Sequence, residues 1–287
     1  MELIHLLHTK NTLGEGPLWS VAEQALYWVD IIGERIHRYH PETGEIECFP
    51  QKEQISVVGF REKGGFIAAG KNGLQFWSPG ENLLNPICDP ERDRTSSRFN
   101  DGKVDRRGRF WAGTMTTAGA ESTLYRLDHD LSFHIMETGV TISNGIGWSP
   151  DNQTMYFADT LHYVIYAYDF DLVSGSIQNR SVFASFEEDE GVPDGLTVDG
   201  EGHIWCAIWG GGKVIRFDPQ GDVERVIPLP VTQPTSCCFG GKDLTDLFIT
   251  SARDGLTIDE RESQPWAGDI FMLSTDIKGI PEPEFLG

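Results

Sequence analysis

The chain has 287 residues, 44 acidic against 23 basic side chains, and a formal net charge of −21. That charge repels phosphate backbones and anionic lipid headgroups over a Debye length of roughly 8 Å, so nucleic acid and membrane surfaces are poor partners and cations are favoured ones. With 39% hydrophobic and 23% charged residues the composition is that of a globular chain, and no run reaches the ~18 apolar residues of a membrane helix.

In chain order, Met1–Asn11 opens with a short apolar run broken by His5 and His8. It has neither the basic start nor the small-residue cleavage site of a signal peptide. The five cysteines are an odd number, Cys237 and Cys238 are adjacent, and no CxxC pair occurs. Both features point to a reducing, cytoplasmic setting.

From there a repeat takes over. Strand-like runs containing Leu26 (ALYWVD), Phe66 (GGFIAAG), Phe110 (GRFWAGT), Met155 (TMYFADT), Ile204 (HIWCAIW) and Leu247 (DLFITSA) recur at intervals of 40 to 49 residues. Each is followed by a turn and a second run: RIHRYH, GLQFW, TLYRLD, VIYAYDF, KVIRFD and DIFMLS. Six antiparallel β units with this period predict an all-β, six-bladed β-propeller. At about 48 residues per blade the whole chain is used, so a single domain over 1–287 is expected, with Glu2–Leu6 supplying an outer strand to the last blade. The 32 glycines and 15 prolines are scattered as turn punctuation, and no linker divides the chain.

Ten to twelve residues before each of these strands, a polar residue opens a short apolar run: Glu15, Ser56, Asn100, Asn144, Asp194 and Thr235. The innermost strand of a propeller blade runs along the central axis, so residues in one register converge on one region of the channel. Glu15, Asn144 and Asp194, with Asn100 beside them, offer carboxylate and amide oxygens. Such oxygens suit one divalent cation: Ca²⁺ first, then Mg²⁺ or Mn²⁺, with Zn²⁺ also accommodated. The competing reading is a set of satisfied Asn-Gly and Asp-Gly turns; agreement across several repeats favours the cation. An ion with open positions could polarise a carbonyl and acidify water, the minimum apparatus for ester or lactone hydrolysis. Asp194 could act as general base, and Arg98 could reach the same rim with its forked donors.

Other features carry less. Gly210-Gly211-Gly212 reads as a hairpin turn, His162 is a candidate at the channel mouth, and Cys237 and Cys238 read as buried structural thiols. No GxSxG nucleophile motif occurs.

The stretches GEGPLW, RFNDGKVD, GRFWAGTM, SNGIGWSPD, PDGLTVDGEG, TSCCFGG and SARDGL, in this order over residues 14–256, closely resemble the senescence marker protein/regucalcin/gluconolactonase family. The resemblance implies a six-bladed propeller that binds one divalent cation in its channel and hydrolyses sugar lactones to aldonic acids. It further implies metal ligation by Glu15, Asn144 and Asp194, with Asp194 also the general acid/base, and substrate contacts from Arg98 and Asn100. It adds a glutamate from the loop after GTM, for which Glu121 is the counterpart in a loop shorter than that of the animal members. The expected partner is a small sugar lactone, bound by a monomer or weak oligomer. Two alternatives stay open: a calcium-binding regulator without turnover, and an esterase or phosphotriesterase for aryl esters or organophosphates.

Overall fold

The computed structural model describes residues 1–116 and 122–287. Strand β1 (Glu2–Leu7) comes first. The first sheet follows as β2 (Gly14–Ser20), β3 (Ala25–Asp30), β4 (Arg35–His40) and β5 (Glu45–Pro50). The second is β6 (Ile55–Phe60), β7 (Phe66–Gly70), β8 (Gly73–Ser78) and β9 (Leu83–Cys88). The third is β10 (Ser97–Val104), β11 (Phe110–Thr116), β12 (Ser122–Leu127) and β13 (Phe133–Val140). The fourth is β14 (Ser143–Trp148), β15 (Thr154–Asp159), β16 (Val164–Asp171) and β17 (Ser176–Ser185). The fifth is β18 (Val192–Val198), β19 (Ile204–Trp209), β20 (Lys213–Phe217) and β21 (Val223–Pro228). Strands β22 (Pro234–Gly240), β23 (Asp246–Ser251) and β24 (Ile270–Ser274) complete the last sheet, with α1 (Ile258–Ser263) between β23 and β24.

Each sheet is a four-stranded antiparallel blade, so the chain is a six-bladed β-propeller. The strands predicted around Leu26, Phe66, Phe110, Met155, Ile204 and Leu247 are the second strand of each blade. The runs paired with them are the third. In the last blade the order is β1-β24-β23-β22, so the N-terminal strand supplies the outer edge and closes the ring. Gly210–Gly212 forms the turn between β19 and β20, as its glycines suggested.

The core lies between blades. Second- and third-strand residues of one sheet pack on the first three strands of the next, as when Tyr27, Val29 and Ile36 meet Ile55, Val58, Phe66 and Trp77. The closing seam is built the same way: Trp19, Leu26 and Trp28 of the first blade meet Cys238, Phe248 and Ile270 of the last. There Trp19 stacks on Phe248 with ring centroids 5.3 Å apart and planes 9° from parallel. Burial of each large apolar side chain stabilises by roughly 1.5–3 kcal/mol. Two turns are locked by a shared device. Asp105 and Asp199 each accept the indole N–H of a tryptophan six residues on, Trp111 and Trp205, at 2.9 Å. Each also accepts two backbone N–H groups of its own turn. Cys237 and Cys238 are buried free thiols.

Two features position the site. Every inner strand carries a register shift of one extra residue against its neighbour, between Glu15 and Leu18, Ile55 and Val57, Phe99 and Gly102, Ser143 and Ile146, Pro193 and Leu196, and Pro234 and Ser236. A bulge breaks strict in-out alternation and re-aims side chains, and these six contain or adjoin the six polar positions read from the repeat. The second feature is the C-terminal segment, which crosses the far end of the channel. Gly200 N–H donates to Lys278 O, Gly279 N–H to Leu244 O and Phe285 N–H to Phe60 O, all at 2.8 Å. Glu282 on this segment pairs with Lys103 of β10 at 2.9 Å. Glu282 and Pro283 line one cavity with Gly16, Asp101, Lys103 and Ser236.

Candidate metal centre and lactone site

Glu15 from β2, Asn144 from β14 and Asp194 from β18 are all buried at the bulges of three inner strands. Gly145 and Gly195, which follow Asn144 and Asp194, are required by close packing rather than by a turn. A Cβ on Gly145 would meet Leu196 N at 2.4 Å and Asp194 O at 2.7 Å, and one on Gly195 would meet Ser236 Oγ at 2.0 Å. The Asn-Gly and Asp-Gly pairs therefore let neighbouring inner strands approach each other at the axis, which is what gathers their oxygens.

Asn144 Nδ2 donates to Thr160 Oγ1 (3.0 Å), which donates in turn to Pro193 O (3.0 Å). This chain fixes the amide with its oxygen turned away. Asn144 Oδ1 and Asp194 Oδ1 are both buried and have no hydrogen-bond partner among the described residues. Two unsatisfied buried oxygens on adjacent blades are costly unless something positive sits between them. Glu15 Oε2 accepts from its neighbour, Gly16 N–H, at 2.9 Å.

The electrostatics agree. Burial, with Asp101 nearby, pushes the Glu15 carboxyl up to about 8, against the opposing pull of the Gly16 N–H and Arg98. Asp194 is raised well above the ordinary carboxylate range by burial, then by Glu15 and Asp101, against the opposing pull of the Asn144 amide and the Gly195 N–H. Burial raises Asp101 to about 6, opposed by the Gly102 N–H and Lys103. A cation beside these three raised carboxyls would relieve both desolvation and mutual repulsion. The donor set of two carboxylates and an amide oxygen fits a hard or borderline divalent ion.

Asn100 is placed differently. Its Oδ1 accepts from Arg98 Nη1 at 2.7 Å and its Nδ2 donates to Ser143 O at 2.9 Å, so both ends of the amide are engaged. The same Arg98 nitrogen donates to Phe99 O (2.9 Å) and Ser56 Oγ (3.3 Å). Burial lowers Arg98 to about 10, with Glu15, Asp254 and Asp194 pulling the other way, so the guanidinium stays charged at neutral pH. It borders a cleft with Gln54, Lys71, Thr95, Ser96 and Met115. Among the remaining candidates, His162 is half-exposed, its Nδ1 2.7 Å from Asp159 Oδ2. Glu121 lies outside the described residues.

Two neighbours of the candidate centre are not marked by the repeat. Asp101 stands inside the stretch RFNDGKVD, but a repeat register that selects one polar residue per strand passes over it; the bulge between Phe99 and Gly102 is what brings its carboxylate into Coulombic range of Glu15 and Asp194. Thr160, which orients Asn144, comes from the short 3-10 turn Thr160–His162, and nothing in the local sequence marks it.

Comparison with known proteins shows the family. Residues 13–253 match the model of the SMP-30/gluconolactonase/LRE-like region. The chain is 38% identical to regucalcin of Gallus gallus over 286 residues, covering 96% of this chain and 95% of that protein. It is also 38% identical to the 6-deoxy-6-sulfogluconolactonase of Pseudomonas putida over 280 residues, covering 96% of each. Among solved structures, a calcium-binding protein, regucalcin, from Agrobacterium tumefaciens superposes with a TM-score of 0.93 at 29% identity, covering 98% of this chain and 96% of that one. On the extent of these matches, the chain belongs to the SMP-30/gluconolactonase/LRE-like family.

Proposed function

We propose that the protein is a cation-dependent lactonase that hydrolyses a sugar 1,4- or 1,5-lactone to its aldonic acid. The observation that carries this reading is the pair of buried, partnerless oxygens, Asn144 Oδ1 and Asp194 Oδ1, beside the buried carboxyl of Glu15. Glu15, Asn144 and Asp194 would hold the ion, with Ca²⁺ the first choice and Zn²⁺, Mn²⁺ or Mg²⁺ the others. Bound there, it would supply a positive charge that polarises the lactone carbonyl and favours the ionised form of Asp194.

The chain's own residues do the rest. Asp194, as carboxylate, takes a proton from water as the water oxygen bonds to the carbonyl carbon. As the bond from that carbon to the ring oxygen breaks, Asp194 returns the proton to the departing oxygen. One lactone and one water give one aldonic acid, which ionises in neutral solution. Burial matches Asp194 to this task, because a carboxyl with a raised proton affinity is a stronger base. Arg98 braces Asn100 and borders a cleft with Gln54, Lys71, Thr95 and Ser96, whose polar groups suit sugar hydroxyls better than an aryl ring. The aldonate product carries a negative charge into a chain of net charge −21, which favours its release.

The names of the relatives fit both a lactonase and a calcium-binding protein, so a regulator without turnover is the reading to exclude. A pH-indicator assay on a panel of aldonolactones, with an aryl ester and an organophosphate as controls, separates the cases. Turnover of aldonolactones in preference to the controls supports the proposal. Tight calcium binding with no turnover on the panel overturns it.

A further inference from the structure

At the seam where the ring closes, three side chains converge that the channel chemistry does not use. His5 Nε2 and His8 Nδ1 each lie 2.8 Å from the same oxygen, Asp269 Oδ2. Residues three apart on a regular strand point to opposite faces. Strand β1 is not regular: its pairing with β24 shifts between His5 and Leu7, and the extra residue returns His8 to the side of His5. The other carboxylate oxygen, Oδ1, accepts from the backbone N–H groups of Thr9 and Lys10, both at 2.9 Å. The His5 ring stacks on Trp266 with centroids 4.9 Å apart and planes 15° from parallel. Asp269 is fully buried while the His5 and His8 side chains keep 25% and 54% of their exposure, so the cluster has a fixed inner wall and a side open to solvent.

We propose that His5, His8 and Asp269 form a second metal site, for a borderline divalent transition ion of the zinc or cobalt class, that clasps the N-terminal strand to the last blade. Two imidazole nitrogens and one carboxylate oxygen select such an ion over calcium or magnesium, which take all-oxygen shells. The chemistry is thus distinct from that of the channel. The three ligand atoms lie within 4.8 Å of one another. Tetrahedral zinc, with bonds of about 2.0–2.2 Å, holds its ligands about 3.4 Å apart. Each nitrogen therefore has to retreat by about 0.6 Å from Oδ2, a small adjustment for the half-exposed His8. The backbone donors on Oδ1 hold the carboxylate as outer hydrogen-bond partners do in metal sites, and the stacked Trp266 holds the His5 ring. The open side leaves a fourth position to water. A second cluster, Asp199, Glu201 and His203, is equally tight, but Arg216 Nη2 already bonds Asp199 Oδ2 at 2.7 Å and Glu201 Oε2 at 2.6 Å. A cation is built into that cluster, whereas histidines are the pairing groups of Asp269.

The site bridges positions 264 residues apart in sequence, so a bound ion stabilises the closed ring by mass action. The test is Co²⁺ binding to the calcium-saturated protein, read by visible absorption and by metal content after dialysis, together with melting curves with and without Zn²⁺. The expected result is one equivalent of Co²⁺ with a ligand-field band, and a rise in melting temperature with Zn²⁺. His8→Ala, and separately His8→Gln, which keeps a hydrogen-bonding group, should weaken Co²⁺ binding at least tenfold, with lactone turnover and calcium affinity unchanged. Asp194→Asn should keep the band, showing that the ion is not in the channel. The proposal is overturned by no cobalt bound to the calcium-saturated protein, or by binding to the His5→Ala/His8→Ala double variant equal to wild type. A hydrogen-bonded clasp alone would lower the melting point in His8→Ala equally with and without zinc, and that outcome also overturns it.

Discussion

Glu15→Gln should make the cation-free protein more stable while removing its response to calcium. The Glu15 carboxyl is pushed from 4.5 to about 8, chiefly by burial and then by Asp101. Between those two pH values the folded protein holds a proton that the unfolded chain has released. Stability therefore falls as pH rises through this window and levels off above about 8. At about 1.4 kcal/mol per pH unit, the penalty relative to an ordinary glutamate is on the order of 3 kcal/mol at pH 7. Glutamine is a neutral isostere that can still accept from Gly16 N–H, so the substitution removes the penalty without opening a cavity. With an unfolding entropy of roughly 2.1 cal/mol/K per residue, 3 kcal/mol corresponds to about 5 °C in melting temperature for a chain of this size. The assay is thermal unfolding in chelator from pH 5 to 9, repeated with excess calcium. In chelator at pH 7 the variant should melt about 5 °C above wild type and show a flatter pH dependence. With calcium the order should reverse, because ligand binding stabilises only the protein that can bind it. A variant that melts at or below wild type throughout in chelator, or that gains as much from calcium, would refute the reasoning.

Three further outcomes follow from the same geometry. Cation affinity, measured by titration calorimetry, should rise between pH 6 and 8 by up to about tenfold per unit for each proton displaced, because Glu15 titrates near 8 and Asp194 is raised; a flat profile would contradict the raised carboxyls. Asp194→Asn should lower kcat for a lactone by about 10²–10⁴-fold, the usual worth of a general base, and a loss of less than threefold would remove Asp194 from that role. Gly145→Ala should cost roughly 1–3 kcal/mol in stability from overpacking, since its Cβ would press on Leu196 N and Asp194 O, and should weaken cation binding as well; an unchanged melting curve would show that the axis is looser than described.

The architecture was legible because its signal is repeated. Strands around Leu26, Phe66, Phe110, Met155, Ile204 and Leu247 recur at a nearly constant interval, and the pairing of Glu2–Leu7 with Ile270–Ser274 follows from counting strands. The axial register was legible for a similar reason, since Glu15, Asn144 and Asp194 stand at equivalent places. The cause of that register was not. Each inner strand carries a one-residue bulge, and the local sequence marks a bulge only by a nearby glycine, a residue just as common in ordinary turns. Asp101 was missed for that reason. The division of labour among neighbours was hidden too: Asn100 and Asn144 read alike in sequence, yet Arg98 and Ser143 engage both ends of Asn100 while Thr160 leaves the Asn144 oxygen free. Such differences depend on side chains contributed by other blades, which no local pattern encodes.

The most direct test of the central claim is aldonolactone hydrolysis by the metal-stripped protein, before and after addition of single divalent ions. Turnover should fall at least a hundredfold on exhaustive chelation and return with Ca²⁺, Zn²⁺, Mn²⁺ or Mg²⁺ in proportion to occupancy of the Glu15–Asn144–Asp194 centre. Turnover within about threefold of the untreated protein after chelation would contradict a cation-dependent lactonase.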